Sequence, residues 1–482
     1  MGIAELWKVI SPAERQYSLE QLAAHSFKYH KRGLRIAIDV ALWCFQAKSS
    51  VIGDSSELRS LFFRFCRLYG LGIRPVFVFD GSNRPEYKRN RMINTIPIET
   101  EFRQQLIQLI QFFQFSQWHA YGEAEAECAM LQRLGIVDLV LTGDSDVFLF
   151  GAQCVMRRWP SKPYEPVACF DQTWITDKTG LDRSDLILIA LLRGSDYDTK
   201  GTRGIGTLVA AQLAHCQFHR SLMDDIQLTG REVPLDNERV QHMYDDLTYE
   251  LHHNRTQNLS RKHAGVVLDP KFPDFSIVID FIHPLTNIGR KASISKATRL
   301  ADNLNQPQEP QWTELARFCQ RAFHWPANYL LKRFSSVLFP AYMINTLRRL
   351  AASQASVQRP VRLDDYYRDK ARQVRQNIIV QVTTQKYLQE TQEHVCRVEW
   401  DMSCWTEFLQ LLKTKLDYTA YLEQFDNSEP EAHLFDQVKR QWVPLNPIRS
   451  LYPHLLSVKK HKKEEPFSTS TVFIVPKRRQ PL

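Results

Sequence analysis

Residues 34 to 40 read LRIAIDV, and two later stretches repeat this pattern of an apolar run that ends beside an acid: RPVFVFDG at 74 to 81 and GIVDLVLTGDSD at 135 to 146. Each run has the length and composition of a buried parallel strand. The segments between them, SELRSLFFRFCRLYG and ETEFRQQLIQLIQFFQF, place apolar residues three or four positions apart, which predicts amphipathic helices. Strands that alternate with helices predict an α/β fold with a doubly wound core.

The charge of the chain favours a polyanionic partner. Among its 482 residues, 62 Lys and Arg against 53 Asp and Glu leave a net charge of +9, which suits nucleic acid but is equally compatible with an ordinary basic protein. The nine cysteines are scattered without a C-x-x-C pair, which predicts reduced thiols in an intracellular protein and argues against a zinc site. No run of eighteen apolar residues predicts a membrane span.

The character of the sequence changes twice along the chain. From about residue 180 the pattern is helical around a Gly-rich turn, GTRGIG, and after about residue 350 alternating segments such as NIIVQVTT and HVCRVEW predict a small β-rich module. A polar, weakly periodic stretch predicts a flexible insertion, and the chain closes with lysine-rich KKHKK and PKRR. We therefore predict three units: an α/β core with the start of the helical region over 1–215, the remaining helical region over 216–350 with its insertion at about 224–271, and the β-rich module with a basic tail over 351–482.

An acid stands at the carboxyl end of each predicted strand: Asp39, Asp80, and the pair Asp144 and Asp146. A single aspartate after a strand is usually a helix cap or a turn former, because its oxygen satisfies backbone N–H groups. Three strands that do so together predict instead a cluster of carboxylates, since ligand sites of doubly wound folds lie at the carboxyl ends of the strands.

Further acids follow at two places. Glu123, Glu125 and Glu127 crowd the start of a helix in YGEAEAECAML, where the helix macrodipole alone would favour them, and Asp196 and Asp198 follow the helical run LILIALLRGS. So many carboxylates at one sheet edge would repel each other unless cations neutralised them. Oxygen ligands without His or Cys select Mg²⁺ or Mn²⁺, and a pair of such ions could hydrolyse a phosphodiester.

Six motifs in this order resemble the XPG-type flap endonuclease family over about the first 340 residues: MGIAELWKVI, IAIDVALW, FVFDG, GEAEAE, LTGDSDVFLFG and GSDYDTKGTRGIG. The resemblance implies a catalytic site with two Mg²⁺ ions, for which Mn²⁺ can substitute. Its metal ligands in this chain would be Asp39, Asp80, Glu123, Glu125, Asp144, Asp146 and Asp196. Glu127 and Asp198 lie outside the family pattern and are expected to support the ligands from behind or to face solvent.

The resemblance also implies where DNA binds. The GTRGIG turn resembles the family's helix–two-turn–helix element, whose backbone N–H groups would hold duplex phosphates, often with a monovalent cation. Basic residues after the second strand stand where family members place cations on the scissile phosphate, with Lys88 as the catalytic candidate, although a solvated polar helix face is the alternative for each. The expected DNA contacts are Gly2, Arg84, Lys88, Arg89, Arg91, Lys200, Arg203, Gly204 and Gly206.

The interval between Asp80 and Glu123 distinguishes branches of the family. It spans only about forty residues, which leaves little room for the cap that encloses a free single-stranded end in flap endonucleases. Together with LWKVI, ALW and FVFDGSNRP, this resembles the eukaryotic Holliday-junction resolvase branch. The branch implies a nuclear enzyme that cuts four-way junctions and 5′ flaps, is a monomer when free and a homodimer on a four-way junction, and needs no membrane. Two alternatives remain open: a monomeric flap or repair endonuclease of the same family, and a catalytically inactive protein that binds branched DNA.

The β-rich module resembles, more weakly, a chromodomain. The segments HVCRVEW and QWVPLNPIRSLYPHL are similar to a chromodomain's closing strand and helix entry, and the resolvase branch carries such a module. Tyr387, Trp400, Trp405 and Trp442 are available for a methyl-lysine cage. Core packing of most of these rings, with DNA docking through Lys and Arg, is the preferred interpretation.

Overall fold

The structure is a computed structural model that describes residues 3, 5–48, 56–84, 87–88, 91–92, 100–231, 237–287, 291–306, 309–355, 378–389, 393–421 and 439–456. The strands are β1 (Arg15–Tyr17), β2 (Arg35–Asp39), β3 (Arg74–Phe79), β4 (Tyr87–Lys88), β5 (Arg91–Met92), β6 (Ser116–His119), β7 (Leu139–Leu141), β8 (Cys154–Met156), β9 (Val167–Asp171), β10 (Ile379–Leu388), β11 (Glu393–Trp400) and β12 (Arg440–Pro444). The helices are α1 (Leu6–Val9), α2 (Leu19–His30), α3 (Val40–Lys48), α4 (Ser56–Gly70), α5 (Glu101–Phe112), α6 (Ala124–Arg133), α7 (Gln172–Thr179), α8 (Arg183–Arg193), α9 (Thr207–Ala214), α10 (Arg220–Thr229), α11 (Asn237–His253), α12 (Phe275–Ile282), α13 (Lys291–Asn305), α14 (Trp312–Phe323), α15 (Ala327–Arg333), α16 (Phe339–Ala355), α17 (Ser403–Lys413) and α18 (Leu445–Leu451).

A seven-stranded sheet forms the centre of the α/β core, in the order β1-β9-β8-β7-β2-β3-β6. The strands from β8 to β6 run parallel, and β9 and β1 continue one side of the sheet in antiparallel pairing. Every residue of β2 is buried, as expected for a parallel strand with helices on both faces of its sheet. The predicted α/β class and doubly wound core are therefore confirmed.

The two faces of the sheet bury separate hydrophobic cores. Ile36 and Ile38 contribute to the core that contains α4 and α5, whereas Ala37 between them contributes to the core that contains α6 and α8. This alternation follows from the twofold side-chain period of a strand. Helices on both sides thus hold the carboxyl ends of the parallel strands in fixed positions.

Helices α8 to α13 make up the helical region. The sequence predicts a flexible insertion over 224–271, but α11 lies within this stretch. This helix buries Met243, Leu247 and Leu251 in the hydrophobic core that contains α6 and α8. These three residues are four positions apart, so they lie on one face of the helix. The polar residues between them hide this single apolar stripe in the sequence. Among the described residues, no helix combines the length and apolar character that a membrane span requires.

The β-rich module consists of an antiparallel sheet in the order β10-β11-β12; along the chain, α17 lies between β11 and β12, and α18 follows β12. Trp400 and Trp405 are buried in the same hydrophobic core as α4 and α16, so these two rings are core residues and not walls of an open cage. Tyr387 is about half exposed, and Lys386 Nζ lies 4.4 Å from the ring centre of Trp442. The predicted basic runs at 459–463 and 476–479 lie outside the described residues.

The shared core predicts that the module and the α/β unit unfold together. Trp405 lies 5.0 Å from Phe339 between ring centres and donates a hydrogen bond of 3.2 Å from Nε1 to Ser335 Oγ. We expect Trp405→Ala to lower the free energy of unfolding by about 3–5 kcal/mol, the usual cost of truncating a buried Trp. Denaturant unfolding followed by circular dichroism should keep one transition at a lower midpoint, whereas the exposed Tyr387→Ala should shift it little. A separate early transition for the module alone would contradict a common core.

Candidate active site

Three adjacent strands bring acids to one edge of the sheet. Asp39 is the last residue of β2, Asp80 directly follows β3, and Asp144 lies three residues beyond the end of β7. The strands are neighbours in the order β7-β2-β3 and run parallel, so their carboxyl ends face the same side. These three acids therefore lie at one edge of the sheet, as the sequence predicts.

Asp39 is a carboxyl whose ionisation is strongly affected by its surroundings. It is buried, and its Oδ1 accepts hydrogen bonds from the backbone N–H groups of Ala41 at 2.9 Å and Leu42 at 3.4 Å. Burial, followed by repulsion from Asp80 and a smaller contribution from Asp144, raises the pKa of Asp39 to about 7, although both N–H donors lower it. Asp80 and Asp144 are thus close enough to oppose the ionisation of Asp39.

The pair after β7 is held by backbone donors. Asp144 caps the 3₁₀ turn Ser145–Phe148, and its Oδ1 accepts a hydrogen bond of 3.1 Å from the N–H of Asp146. Asp146 Oδ1 in turn accepts a hydrogen bond of 3.0 Å from the N–H of Ile3. Both aspartates are buried. These contacts fix the two side chains and also tie the amino-terminal segment to the site.

Helix α6 adds two glutamates beside Asp80. Asp80 Oδ1 accepts a hydrogen bond of 3.0 Å from the N–H of Ala124, the first residue of α6, and its Oδ2 lies 2.9 Å from Arg84 Nη1. Glu123 is the buried N-cap residue of α6, and Glu125 lies half-buried in its first turn. The amino end of α6 therefore brings Asp80, Glu123 and Glu125 together.

The turn after α8 supplies Asp196. This buried residue precedes Tyr197, whose hydroxyl donates a hydrogen bond to Glu123 Oε2. Burial and the neighbouring Glu123 raise the pKa of Tyr197 well above its usual value, so the phenol stays a donor. Asp198 instead accepts a hydrogen bond of 3.0 Å from the N–H of Lys200 and serves the turn.

Sequence reasoning missed two parts of this geometry. Tyr197 directly follows Asp196, but its contact with Glu123 joins residues 74 positions apart and has no motif in the sequence. Glu127, which the sequence predicts either to support the ligands from behind or to face solvent, is completely buried and accepts hydrogen bonds from residues as distant in sequence as Asn287. Such a partner has no sequence signature.

The predicted DNA contacts divide into two groups. Lys200, Arg203, Gly204 and Gly206 are exposed around the turn between α8 and α9. Gly204 has φ +89°, which favours glycine, and a Cβ on Gly206 would meet no described atom within 4 Å, so the backbone there is open to a phosphate. Arg84 contacts Asp80, as given above.

The second group falls outside the described side chains. Lys88 and Arg91 are in the short hairpin of β4 and β5, but the structure describes only their backbone. Gly2 and Arg89 lie outside the described residues altogether. Their predicted contacts with DNA and with the scissile phosphate stay predictions.

The donor set fits a hard divalent cation by its chemistry. The acids gathered here offer only carboxylate oxygens, the ligands that Mg²⁺ and Mn²⁺ prefer, and their mutual repulsion would be relieved by positive charge. In the described part of the chain, however, no group of three or more His, Cys, Asp or Glu side chains is already arranged as a metal centre. Arg84 and Tyr197 contact oxygens that a cation would use.

Because the pKa of Asp39 is raised, we expect the free energy of unfolding of the metal-free protein to depend on pH. Between the ordinary value of 3.8 and about 7, the folded state holds a proton that the unfolded state has released, so the free energy of unfolding falls as pH rises. In EDTA at pH 8, Asp39→Asn should therefore raise the free energy of unfolding by an amount on the order of a few kcal/mol, and the gain should vanish below about pH 4. Denaturant titrations at both pH values measure it.

Asp138→Asn is the matched control for this effect. Asp138 is a buried aspartate at the opposite end of β7, where its oxygens lie 2.6 and 2.8 Å from the guanidinium nitrogens of Arg32. Its replacement should lower the free energy of unfolding at pH 8, because the ion pair between the buried Asp138 and the partly buried Arg32 is lost. A destabilised Asp39→Asn variant at pH 8 would contradict the proposed repulsion.

Comparisons with known proteins show which families and structures the chain resembles. Two family models match the chain: the XPG N-terminal domain over residues 1–94 and the XPG I-region over residues 114–196. "Flap endonuclease GEN-like 1" of Arabidopsis thaliana is 33% identical over 256 residues, which cover 48% of this chain and 41% of the relative. "Flap endonuclease GEN homolog 1" of Mus musculus is 32% identical over 245 residues, which cover 46% of this chain and 26% of the relative. The chain thus spans well under half the length of these curated relatives.

A solved structure covers nearly the whole chain. The crystal structure of the Holliday junction-resolving enzyme GEN1 in complex with product DNA and Mg²⁺ has a TM-score of 0.71 and 26% sequence identity, and the match covers 94% of this chain and 98% of that one. The two matched regions contain all seven acids, with Asp196 as the last residue of the second region. The two matched regions are those of the XPG family, and the relatives and solved structures to which the chain is similar are GEN-type flap endonucleases and Holliday junction-resolving enzymes.

Proposed function

We propose that this chain is a Mg²⁺-dependent, structure-selective DNA endonuclease that resolves four-way junctions by paired symmetric nicks and also cuts 5′ flaps. The observation that carries this proposal is the convergence of Asp39, Asp80 and Asp144 at the carboxyl ends of three adjacent parallel strands. Buried carboxylates that repel one another are costly to a fold, and they mark a functional site when they face a common ligand.

The proposed metal ligands are the seven acids predicted from the sequence: Asp39, Asp80, Glu123, Glu125, Asp144, Asp146 and Asp196. Two Mg²⁺ ions, when bound, would polarise the scissile phosphate and lower the pKa of the attacking water. The crystal structures of the related GEN1 enzyme contain Mg²⁺, Mg²⁺ with Mn²⁺, or potassium, which supports the same ions here.

The residues around the carboxylates have separate tasks in this proposal. Ile3 and Ala124 donate backbone hydrogen bonds that orient Asp146 and Asp80, so one oxygen of each carboxylate is directed by the main chain. Arg84 would leave Asp80 and turn to the scissile phosphate, because a cation and a guanidinium compete for the same carboxylate oxygen. Lys88 is proposed to assist Arg84 at that phosphate.

The turn between α8 and α9 is proposed to bind a duplex arm. Gly206 is the N-cap residue of α9, so backbone N–H groups of the first turn are directed at an approaching phosphate. The exposed backbone of this turn would hold a monovalent cation that adds positive charge beside the duplex, and Lys200 and Arg203 add further positive charge. Contacts of this kind position the duplex without selecting a base sequence.

An inactive binding protein is the weaker alternative. A protein that only holds branched DNA gains nothing from buried negative charge beside the phosphates, since binding depends on neutralising them. Asp39 and Asp144 are both buried at that position. The site therefore favours an enzyme, and we propose the nucleus as its location because its substrate is DNA.

We expect Asp144→Asn to reduce Mg²⁺-dependent cleavage of four-way junctions and 5′ flaps by at least about a hundredfold while the dissociation constant for the junction in EDTA stays within about twofold. The replacement removes one charged ligand and nearly preserves shape. Denaturing gels of end-labelled substrates measure cleavage, and gel shifts measure binding. Asp138→Asn, which removes a buried charge from the other end of β7, should keep the cleavage rate of the folded protein. Wild-type cleavage by Asp144→Asn would exclude this metal site.

The two nicks that resolve a junction predict two copies of the chain on it. One site cuts one strand, and a twofold-symmetric junction suits a twofold protein dimer, with DNA supplying the effective concentration. Light scattering should give a monomer for the free protein, two copies per four-way junction and one copy per 5′ flap. A cruciform plasmid should be linearised within the lifetime of one complex. Single-copy occupancy with uncoupled nicks would instead favour the monomeric flap-endonuclease alternative.

A further inference from the structure

Glu127 is a buried carboxylate next to the proposed metal ligands that the family pattern does not use. It lies in α6, one turn after Glu123, and its side chain is completely inaccessible to solvent. Burial raises its pKa, while hydrogen bonds from its neighbours counteract this rise. A carboxylate in such a place persists only if its oxygens are well satisfied.

Three separate segments donate hydrogen bonds to Glu127. Trp118 Nε1 of β6 lies 2.9 Å from Oε1, and the N–H of Tyr121 lies 3.4 Å from Oε2. Asn287 donates from Nδ2 at 2.9 Å to Oε1, and its backbone N lies 3.3 Å from Oε1 and 3.2 Å from Oε2. Asn287 Nδ2 also donates to the carbonyl of His119 at 3.0 Å. One carboxylate thus joins the edge strand, the loop before α6 and the chain after α12.

The loop held in this way carries the amino end of α6. Its carbonyls at Tyr121 and Gly122 accept hydrogen bonds from Asn83 at 3.2 Å and Gly81 at 2.8 Å, which belong to the turn after Asp80. A Cβ on Gly81 would lie only 2.2 Å from the carbonyl oxygen of Ala120, so the two loops are in direct backbone contact. Any displacement of this loop would therefore move Asp80 together with Glu123.

We propose that Glu127 is a positioning residue that holds the amino end of α6 so that Glu123, Glu125 and Asp80 bind the divalent cations. This inference rests on the proposed function, since those three acids are its metal ligands. Glu127 touches neither cation nor substrate in this role; it acts through the loop and through the first turn of α6. Asn287 is its main partner because it contributes three of the five hydrogen-bond contacts.

Glu127→Gln tests this role because the new amide must place N–H groups against donors that now face a carboxylate. We expect the Mg²⁺ affinity of the DNA-free protein, measured by calorimetry, to fall about tenfold or more, the usual effect of disturbing groups behind metal ligands. The Mg²⁺ concentration for half-maximal junction cleavage should rise by the same factor, and saturating Mg²⁺ should restore most of the rate. Junction affinity in EDTA should stay unchanged.

Glu250→Gln is the matched control. Glu250 is also a buried carboxylate, in α11, and it accepts hydrogen bonds from the backbone N of Thr256 at 3.1 Å and from its hydroxyl at 2.7 Å. Its replacement should lower the unfolding midpoint without changing the Mg²⁺ affinity. Asn287→Ala keeps Glu127 and removes its side-chain partner, so it should weaken Mg²⁺ binding in the same direction even if Glu127→Gln does not fold.

Three results would overturn the inference. Wild-type Mg²⁺ affinity in both Glu127→Gln and Asn287→Ala, with only a lower unfolding midpoint, would make Glu127 a purely structural residue. An equal loss of affinity in Glu250→Gln would indicate general softening of the fold. An unchanged half-maximal Mg²⁺ concentration beside a lower maximal rate would place the effect in DNA alignment. If the wild type binds Mg²⁺ but nicks no branched DNA, the proposed function fails, whereas calorimetry still tests the positioning role.

Discussion

Repulsion among carboxylates at the ends of β7, β2 and β3, of which Asp39 and Asp144 are buried, is the constraint on which the rest of the structure depends. Parallel strands deliver their terminal side chains to one edge, and Asp39 ionises with difficulty there because Asp80 and Asp144 are nearby. The fold holds the acids in place with backbone donors, including the N–H groups of Ile3 and Ala124. The carboxylates thus lower the free energy of unfolding when no cation is bound, as is common where function needs buried charge.

Elements outside the central sheet form hydrogen bonds with the residues at this edge. The turn after α8 reaches it through the contact between Tyr197 and Glu123, and the chain after α12 reaches it through Asn287 and Glu127. The helical region that would hold a duplex arm is therefore connected by hydrogen bonds to the residues that would hold the metal ions. The β-rich module packs into the other hydrophobic core, the one that contains α4 and α5, where Trp405 packs against Phe339. Its place there makes it an integral part of the fold.

The sequence predicted those features that have a local pattern. Apolar runs that end in Asp39 and Asp80 gave the parallel strands, their common edge and the class of ligand, and the resemblance to a family added Asp196 from a distant helix end. It failed where the signal was long-range or masked by composition. The apolar stripe of α11 is hidden among polar residues, and the role of Glu127 depends on Asn287, which is 160 positions away and reaches it only through the fold. Core packing, the preferred interpretation for most of the aromatic rings in the β-rich module, is observed for Trp400 and Trp405.

The central claim is that these carboxylates bind two divalent cations at the scissile phosphate. Anomalous diffraction from crystals of the protein with a nicked four-way junction and Mn²⁺ tests it most directly. The expected result is two manganese peaks about 4 Å apart, bridging the DNA phosphate and the acids at the ends of β2, β3 and β7. Manganese elsewhere on the protein, with Arg84 and Tyr197 still bound to Asp80 and Glu123, would contradict it.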